Sequence, residues 1–259
     1  MYYEIHGDDS APLAVCMGGW GSFCHDKGKD APRYLRENCR VLFYDYRGIA
    51  ESDDDLSTTP SMGLFADDLA GLFDHLGWSD VHIVGLVGLG ACVGQELAIR
   101  RPDLVRSLVM TGTWCRADPV LADQLALFRD VHREMGFPAF QLLAASYSFD
   151  GAFYNENRDR LLGPQGTWSF LVDNYTALAR FVEASLSHDV RDSIGAVQAP
   201  SLILHAGKDA VTTERHTREL EALMPNSEGV YWPEGTHVIA GRDARSRFDE
   251  VLEGFLTKH

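Results

Sequence analysis

The chain has 259 residues, 45% of them hydrophobic and 24% charged, enough for one large α/β domain with room for an inserted subdomain. Its formal net charge of −15 argues against nucleic acid or an anionic membrane surface as the main partner and fits a soluble, acidic surface. The five cysteines, at 16, 24, 39, 92 and 115, are scattered without a C-x-x-C pair, which points to free thiols in a reducing cytoplasm. After Met1 no basic-then-apolar leader follows, so no signal peptide is expected, and no apolar run reaches spanning length. Internal repeats, low-complexity segments and metal constellations are absent, and no cofactor is expected. The expected partner is a small-molecule substrate, with a homodimer left open.

Taken in chain order, Tyr2–His6 is a short strand closed by the Gly7–Ser10 turn. Leu13–Met17 is the continuous apolar run that a strand buried in a parallel sheet requires, and it enters Gly18-Gly19-Trp20-Gly21-Ser22. A third strand, Arg40–Tyr44, leads into Asp45-Tyr46-Arg47-Gly48-Ile49-Ala50-Glu51-Ser52, a structural loop whose Arg and Asp pair locally. Asp53-Asp54-Asp55 reads as a solvated turn, because adjacent carboxylates point apart and lack the spacing of a calcium loop. Over Pro60–Leu76 an apolar face of Phe65, Leu69, Leu72, Phe73 and Leu76 predicts a helix, with Gly77 suited to its C-terminal cap.

The organising stretch is 82–96: an apolar strand, a turn crowded by Gly85, Gly88, Gly90 and Gly94, then a helix running to about Arg101 before Pro102. Glycine permits φ > 0 and close backbone approach, so this turn is tight and near its neighbours. Asp103–Met110 leads into the next strand. From Trp114 to Gly195 helical periodicity replaces strand-like runs, predicting helices at Pro119–Glu134, Phe140–Ser148 and Trp168–Ser187. Ala199–His205 returns to strand and is followed by Ala206-Gly207-Lys208-Asp209. Glu214–Leu223 is a helix, Gly229–Trp232 a strand, and Pro233-Glu234-Gly235-Thr236-His237 precedes a helix over Arg247–Phe255.

The glycine turn between strand and helix, with Asp209 and His237 late in the chain, resembles the nucleophile elbow and triad order of the α/β-hydrolase family. The likeness spans almost the whole chain. It implies an α/β-hydrolase fold, a mostly parallel sheet flanked by helices, with an inserted helical cap like those of enol-lactonases and C–C bond hydrolases. The implied division is core over 1–115, cap over 116–195 and core over 196–259. Where the family carries G-x-S-x-G, this chain has no serine. Counted from the strand, the nucleophile position is Val87; counted back from the helix and Pro102, it is Gly88, the preferred register because the helix start fixes the turn. Neither residue can attack a carbonyl.

By the same resemblance Asp209 is the triad acid, in the place of G-x-x-D, and His237 the triad base. Gly18-Gly19-Trp20-Gly21 stands where the family has His-Gly-x-Gly, so the backbone N–H groups of Trp20 and Leu89 would form the oxyanion hole. Asp45–Ser52 is close to the family's D-x-R-G-x-G-x-S, with Ala50 for the second glycine. Ser22 and Ser52 are the nearest seryl residues in family loops, but neither sits on a strand-to-helix turn. The aromatics Tyr147, Phe149, Phe153, Tyr154, Trp168 and Tyr175 either line a substrate pocket or pack the cap on the core.

An Asp–His pair without a nucleophile can still deprotonate water or an acidic substrate proton, with Gly88 leaving space for the attacking water or a substrate atom. That implies hydrolysis of a lactone or ester, or hydrolysis or lysis at the C–C bond of a substrate such as a β-keto acid, with isomerisation and decarboxylation also open. Two readings stand beside it. A degenerate catalytic triad also fits a catalytically inactive binding protein. Gly90-Ala91-Cys92-Val93-Gly94 spells G-x-C-x-G and resembles the thiol elbow of dienelactone hydrolases, although Cys92 lies one turn into the helix, where a small buried residue is expected. Gly88–Gly94 is also similar to a dinucleotide-binding turn, but no acid stands at the next strand end, Met110–Thr113. His188, His205 and His216 read as surface or packed residues.

Overall fold

The apolar runs form strands β1 (Tyr3–His6), β2 (Leu13–Met17), β3 (Arg40–Tyr44), β4 (Val81–Gly85), β5 (Val105–Thr111), β6 (Ser201–Ala206) and β7 (Ser227–Trp232) in a computed structural model that describes residues 1–21 and 23–259. Ser22 lies outside the described residues. The strands make one sheet in the order β1-β3-β2-β4-β5-β6-β7, with β1 antiparallel and all other pairs parallel. Strands β2 and β4 are neighbours, but the chain leaves β2 toward β3 on one side and returns to β4 on the other. This reversal opens a crevice at their carboxyl ends, where open α/β sheets place ligands.

Helices α1 (Arg33–Asn38), α2 (Met62–Leu76), α3 (Leu89–Arg100), α8 (Glu214–Leu223) and α9 (Arg242–Leu256) cover the two faces. One apolar layer takes Phe65, Leu69 and Phe73 from α2 and Val93 and Leu97 from α3. The other takes Leu35 from α1 and Phe248, Leu252 and Phe255 from α9. Side chains of this size contribute about 1.5–3 kcal/mol each when fully buried. Helix α2 starts at Met62, not Pro60, because Ser61 is its N-cap: the Ser61 hydroxyl accepts from Leu64 N–H at 3.0 Å. Gly77 closes it in the left-handed conformation at φ 67°.

Between β5 and β6 the chain is helical: α4 (Pro119–Met135), α5 (Phe137–Ser148), α6 (Gly151–Leu161) and α7 (Tyr175–Ser187). One helix here has no apolar sequence signal, and one sequence expectation fails. Helix α6 was not foreseen, because it buries only Leu161 and so shows no apolar period; its legible mark is Asp150, whose carboxylate accepts from Ala152 and Phe153 N–H. The single helix expected over Trp168–Ser187 is broken. Trp168 turns left-handed at φ 57°, Ser169–Leu171 forms one 3₁₀ turn, and Asn174 caps a fresh start at Tyr175. The two ends of the helical segment are pinned together, with Arg116 bridged to Asp189 and Val190 N–H donating to Cys115 O at 2.9 Å.

The Asp45–Asp55 region also differs from expectation. Arg47 does not pair with Asp45; it forks onto Asp68 at 2.6 and 2.7 Å and reaches Asp54 at 3.0 Å. Asp45 instead meets His25 at 2.6 Å. Asp54 is no solvated residue, since Arg180 of α7 contacts its other oxygen at 2.6 Å and its side chain is only 7% exposed. The carboxylate thus ties the loop after β3 to the helical segment.

His82, buried in β4, contacts Ser107 Oγ at 2.7 Å. Burial, helped by Arg106, pushes its pKa down to about 4. The unfolded chain binds that proton near the ordinary pKa of about 6.5, so between these values the unfolded state holds more protons and stability rises with pH. Stability present above about pH 6.5 is therefore lost as pH falls toward 4, by up to about 3 kcal/mol from this residue. Urea unfolding across that range checks it, and His82→Asn should flatten this part of the profile.

Candidate active site

Four loops, after β2, β4, β6 and β7, leave the carboxyl edge of the sheet and meet. After β2 comes Gly18-Gly19-Trp20; the Tyr46 hydroxyl donates to Gly18 O at 2.9 Å and holds this loop in place. After β4 comes the turn Leu86-Val87-Gly88, clamped by Leu86 N–H to Met17 O at 2.8 Å, Val87 N–H to Thr111 Oγ1 at 3.1 Å and Gly88 N–H to Thr111 O at 3.3 Å. A Cβ at Gly90 would fall 2.7 Å from Met17 O and Gly18 O, and one at Gly85 2.5 Å from Ala91 Cα, which explains why small residues crowd this stretch. Val87 is held at φ 59°, costly for a β-branched residue, and Gly88 at φ 67°, ψ −94°, directly before α3. The three-residue link from Gly85 to Leu89 thus places Gly88, rather than Val87, at the helix N-cap.

After β6 the chain turns at Gly207-Lys208 to Asp209, and after β7 it runs through Gly235 to His237. These loops interlock through Gly207 N–H to Trp232 O at 2.9 Å and Lys208 N–H to Gly235 O at 2.8 Å. Both Asp209 and His237 are buried. Asp209 Oδ1 accepts from Val211 and Thr212 N–H, each at 2.8 Å, while Oδ2 accepts from Thr212 Oγ1 at 3.0 Å and meets His237 Nδ1 at 2.9 Å. An ionised carboxylate only accepts, so Nδ1 carries the proton and Nε2 keeps its lone pair. The imidazole lies against Gly112, where a Cβ would come within 3.1 Å of the ring.

His237, the Val87-Gly88-Leu89 turn and Gly19-Trp20 line one cavity of about 40 Å³. The rest of its wall is apolar: Trp114 after β5, Leu125 and Phe128 of α4, Ala144 of α5, Trp168 and Val211, with Ser148 the added hydroxyl. Of the six aromatics considered from sequence, Trp168 alone lines this cavity. Tyr147 is 40% exposed and Phe153 lies by Gly241 on another surface. Trp114, Ser148 and Thr212 were missed. Each is an ordinary residue in sequence and reaches the site only through tertiary folding. Ser52 is buried elsewhere, its hydroxyl donating to Asp45 O at 2.8 Å.

Cys92 sits on the far side of the turn, fully buried, with its sulfur 3.5 Å from Thr113 Oγ1 and 3.6 Å from Trp114 O. His188 packs beside it, contacting Gln95 at 3.2 Å and Glu96 at 3.5 Å. Burial disfavours the His188 cation, but Cys92 and the Glu96 carboxylate outweigh it and raise its pKa to about 9. The thiol therefore has a histidine near it, yet it does not line the cavity. Iodoacetamide should leave Cys92 unmodified in the folded protein; selective labelling there under native conditions would restore the thiol reading. His205 and His216 are packed, against Thr217 and Asp118.

A parallel sheet with an Asp–His pair and a glycine turn at its carboxyl edge defines a protein of the hydrolase-type α/β class. The family profile of the α/β-hydrolase fold matches residues 16–240, and the chain belongs to that family. Among its relatives, the "Putative carbamate hydrolase RutD" of Serratia proteamaculans is 28% identical, with 100% of this chain and 96% of that protein covered. Its namesake from Stutzerimonas stutzeri is 26% identical over 100% and 97%. The solved enol-lactonase of Burkholderia xenovorans LB400 superposes with a TM-score of 0.80 at 20% identity, covering 99% of this chain and 96% of that one. The metagenomic α/β hydrolase MGS-M2 from the Medee basin gives 0.81 at 21%, covering 99% and 94%. At such identities the structural likenesses concern the fold. No helix among the described residues is long and apolar enough to cross a membrane.

Proposed function

We propose that the protein hydrolyses a small carbonyl substrate, a carbamate or a short ester or lactone, by direct attack of water and without a covalent enzyme intermediate. The observation that carries this reading is the cavity that joins His237 to a turn with no nucleophile at Gly88. Water in that cavity gives its proton to His237 Nε2 as its oxygen bonds to the carbonyl carbon. Asp209 stabilises the imidazolium through Nδ1–H. The carbonyl π electrons move onto oxygen, and the backbone N–H groups of Trp20 and Leu89, with the α3 dipole behind them, stabilise that charge. Collapse of the adduct expels the leaving group, which takes the proton back from His237. The helical segment 119–187 acts as a cap that excludes bulk water. The carbamate option follows the relatives' name.

The test is a screen of carbamates, short esters, lactones and β-keto acids on wild type and His237→Ala side by side. Turnover by wild type, lost in the variant, supports the reading. Equal rates for both proteins remove the dyad from the mechanism, and binding of a screened compound without turnover favours an inactive binding protein. A fluorophosphonate should not label the wild-type turn, which has no hydroxyl at 87 or 88.

A further inference from the structure

Gly88 has the backbone of a nucleophile position and no side chain, and the room beside it is not empty. A Cβ built there would stand 3.1 Å from Cζ3 and 3.4 Å from Cη2 of Trp114, with Gly112 O at 3.5 Å. The first of these is tighter than most carbon contacts, whose optimum lies at about 3.5–4.0 Å, so the indole would have to give by a few tenths of an ångström. The indole is 3% exposed and forms part of the cavity wall. Its backbone is fastened to the helix that begins at the turn. The Trp114 carbonyl accepts from Gln95 Nε2 at 3.2 Å, and the same nitrogen donates to Thr113 Oγ1 at 2.9 Å. Gln95 is fully buried and in contact with His188. Turn and indole are thus referenced to one rigid element, α3.

We infer that Trp114 takes the volume in which a nucleophile's side chain would stand, and that it is the specificity-determining residue of the site. Two consequences follow. A hydroxyl introduced at position 88 is crowded by the indole, so packing as well as the missing serine works against the covalent route. The acyl side of the substrate, which must sit over the same turn, meets the Trp114 indole in the cavity wall, so short acyl groups are favoured over long ones. This second consequence rests on the hydrolytic reading proposed above; the first does not.

The experiment compares wild type, Gly88→Ser, Trp114→Ala and the double variant. Intact-mass detection of fluorophosphonate adducts is run beside rates on p-nitrophenyl esters from acetyl to octanoyl. Gly88→Ser should remain unlabelled, and the double variant should be labelled at position 88 as the introduced oxygen displaces fluoride from phosphorus. Trp114→Ala should raise hydrolysis of butyryl and longer esters relative to acetyl by 10-fold or more. Labelling of Gly88→Ser as fast as the double variant, or no labelling of either, overturns the placement of Trp114. An unchanged chain-length profile in Trp114→Ala overturns its role in specificity. Labelling as expected with no esterase activity in any protein rejects the hydrolytic reading but not the packing. Thermal melts accompany every variant. If Trp114→Ala does not fold, Trp114→Phe, which removes the fused ring, takes its place with the same expected directions.

Discussion

His237→Ala is expected to lose turnover by about 10²–10⁴-fold, the range over which a positioned general base acts. At about 1.36 kcal/mol per tenfold, that is roughly 3–5 kcal/mol of transition-state stabilisation. The loss should fall on kcat, because Nε2 takes its proton only as the bond to water forms. Asp209→Asn should cost a large part of the same factor. An amide can still accept from Val211 and Thr212 N–H at Oδ1, so the turn is retained. Its NH₂ would face His237 Nδ1 and favour the tautomer that leaves Nε2 protonated, unable to act as a base. Circular dichroism and a melt that match wild type, beside rates that do not, check the prediction; a variant within threefold of wild type contradicts it.

Asp54→Ala is expected to cost about 3–5 kcal/mol of stability, the usual result of removing one partner from a buried ionic cluster. Arg47 and Arg180 have side chains only 12% and 11% exposed and share this carboxylate. Arg47 retains Asp68, but Arg180 keeps only neutral contacts with Thr58 among the described residues. For a chain of this size each kcal/mol moves Tm by about 2–4 °C, so a fall of roughly 6–20 °C should appear in a thermal scan. Because Arg180 is on α7, proteolysis of the folded variant should begin in the helical segment. A shift under 2 °C would mean that the cluster holds nothing together.

The parallel strands were readable because a strand buried on both faces is mostly apolar, as Val81–Gly85 and Ser201–Ala206 are apart from His82, Ser201 and His205. Helix α3 was readable from its glycine start and Pro102. Helix α6 was not, since an exposed polar helix has no apolar stripe and only its Asp150 cap announces it. Asp209 and His237 were visible because each follows a core strand in a short loop of recognisable pattern. Thr212, three residues past Asp209, carries no such mark, although its hydroxyl contacts both members of the pair. Asp54 shows the same limit: among three adjacent aspartates nothing local says which one will face two arginines. Gly88 was expected to leave space for a substrate atom. The indole that takes part of that space comes from position 114, a contact no local pattern encodes.

The measurement that bears most directly on the reaction is the intact mass of the protein during turnover, quenched in acid on the millisecond scale with the best substrate from the screen. Direct attack by water predicts an unmodified mass at every time point and no burst of leaving group. A mass increase equal to the acyl group, appearing within the first turnover, would contradict it, and peptide mapping of the adduct would name the side chain that attacks instead.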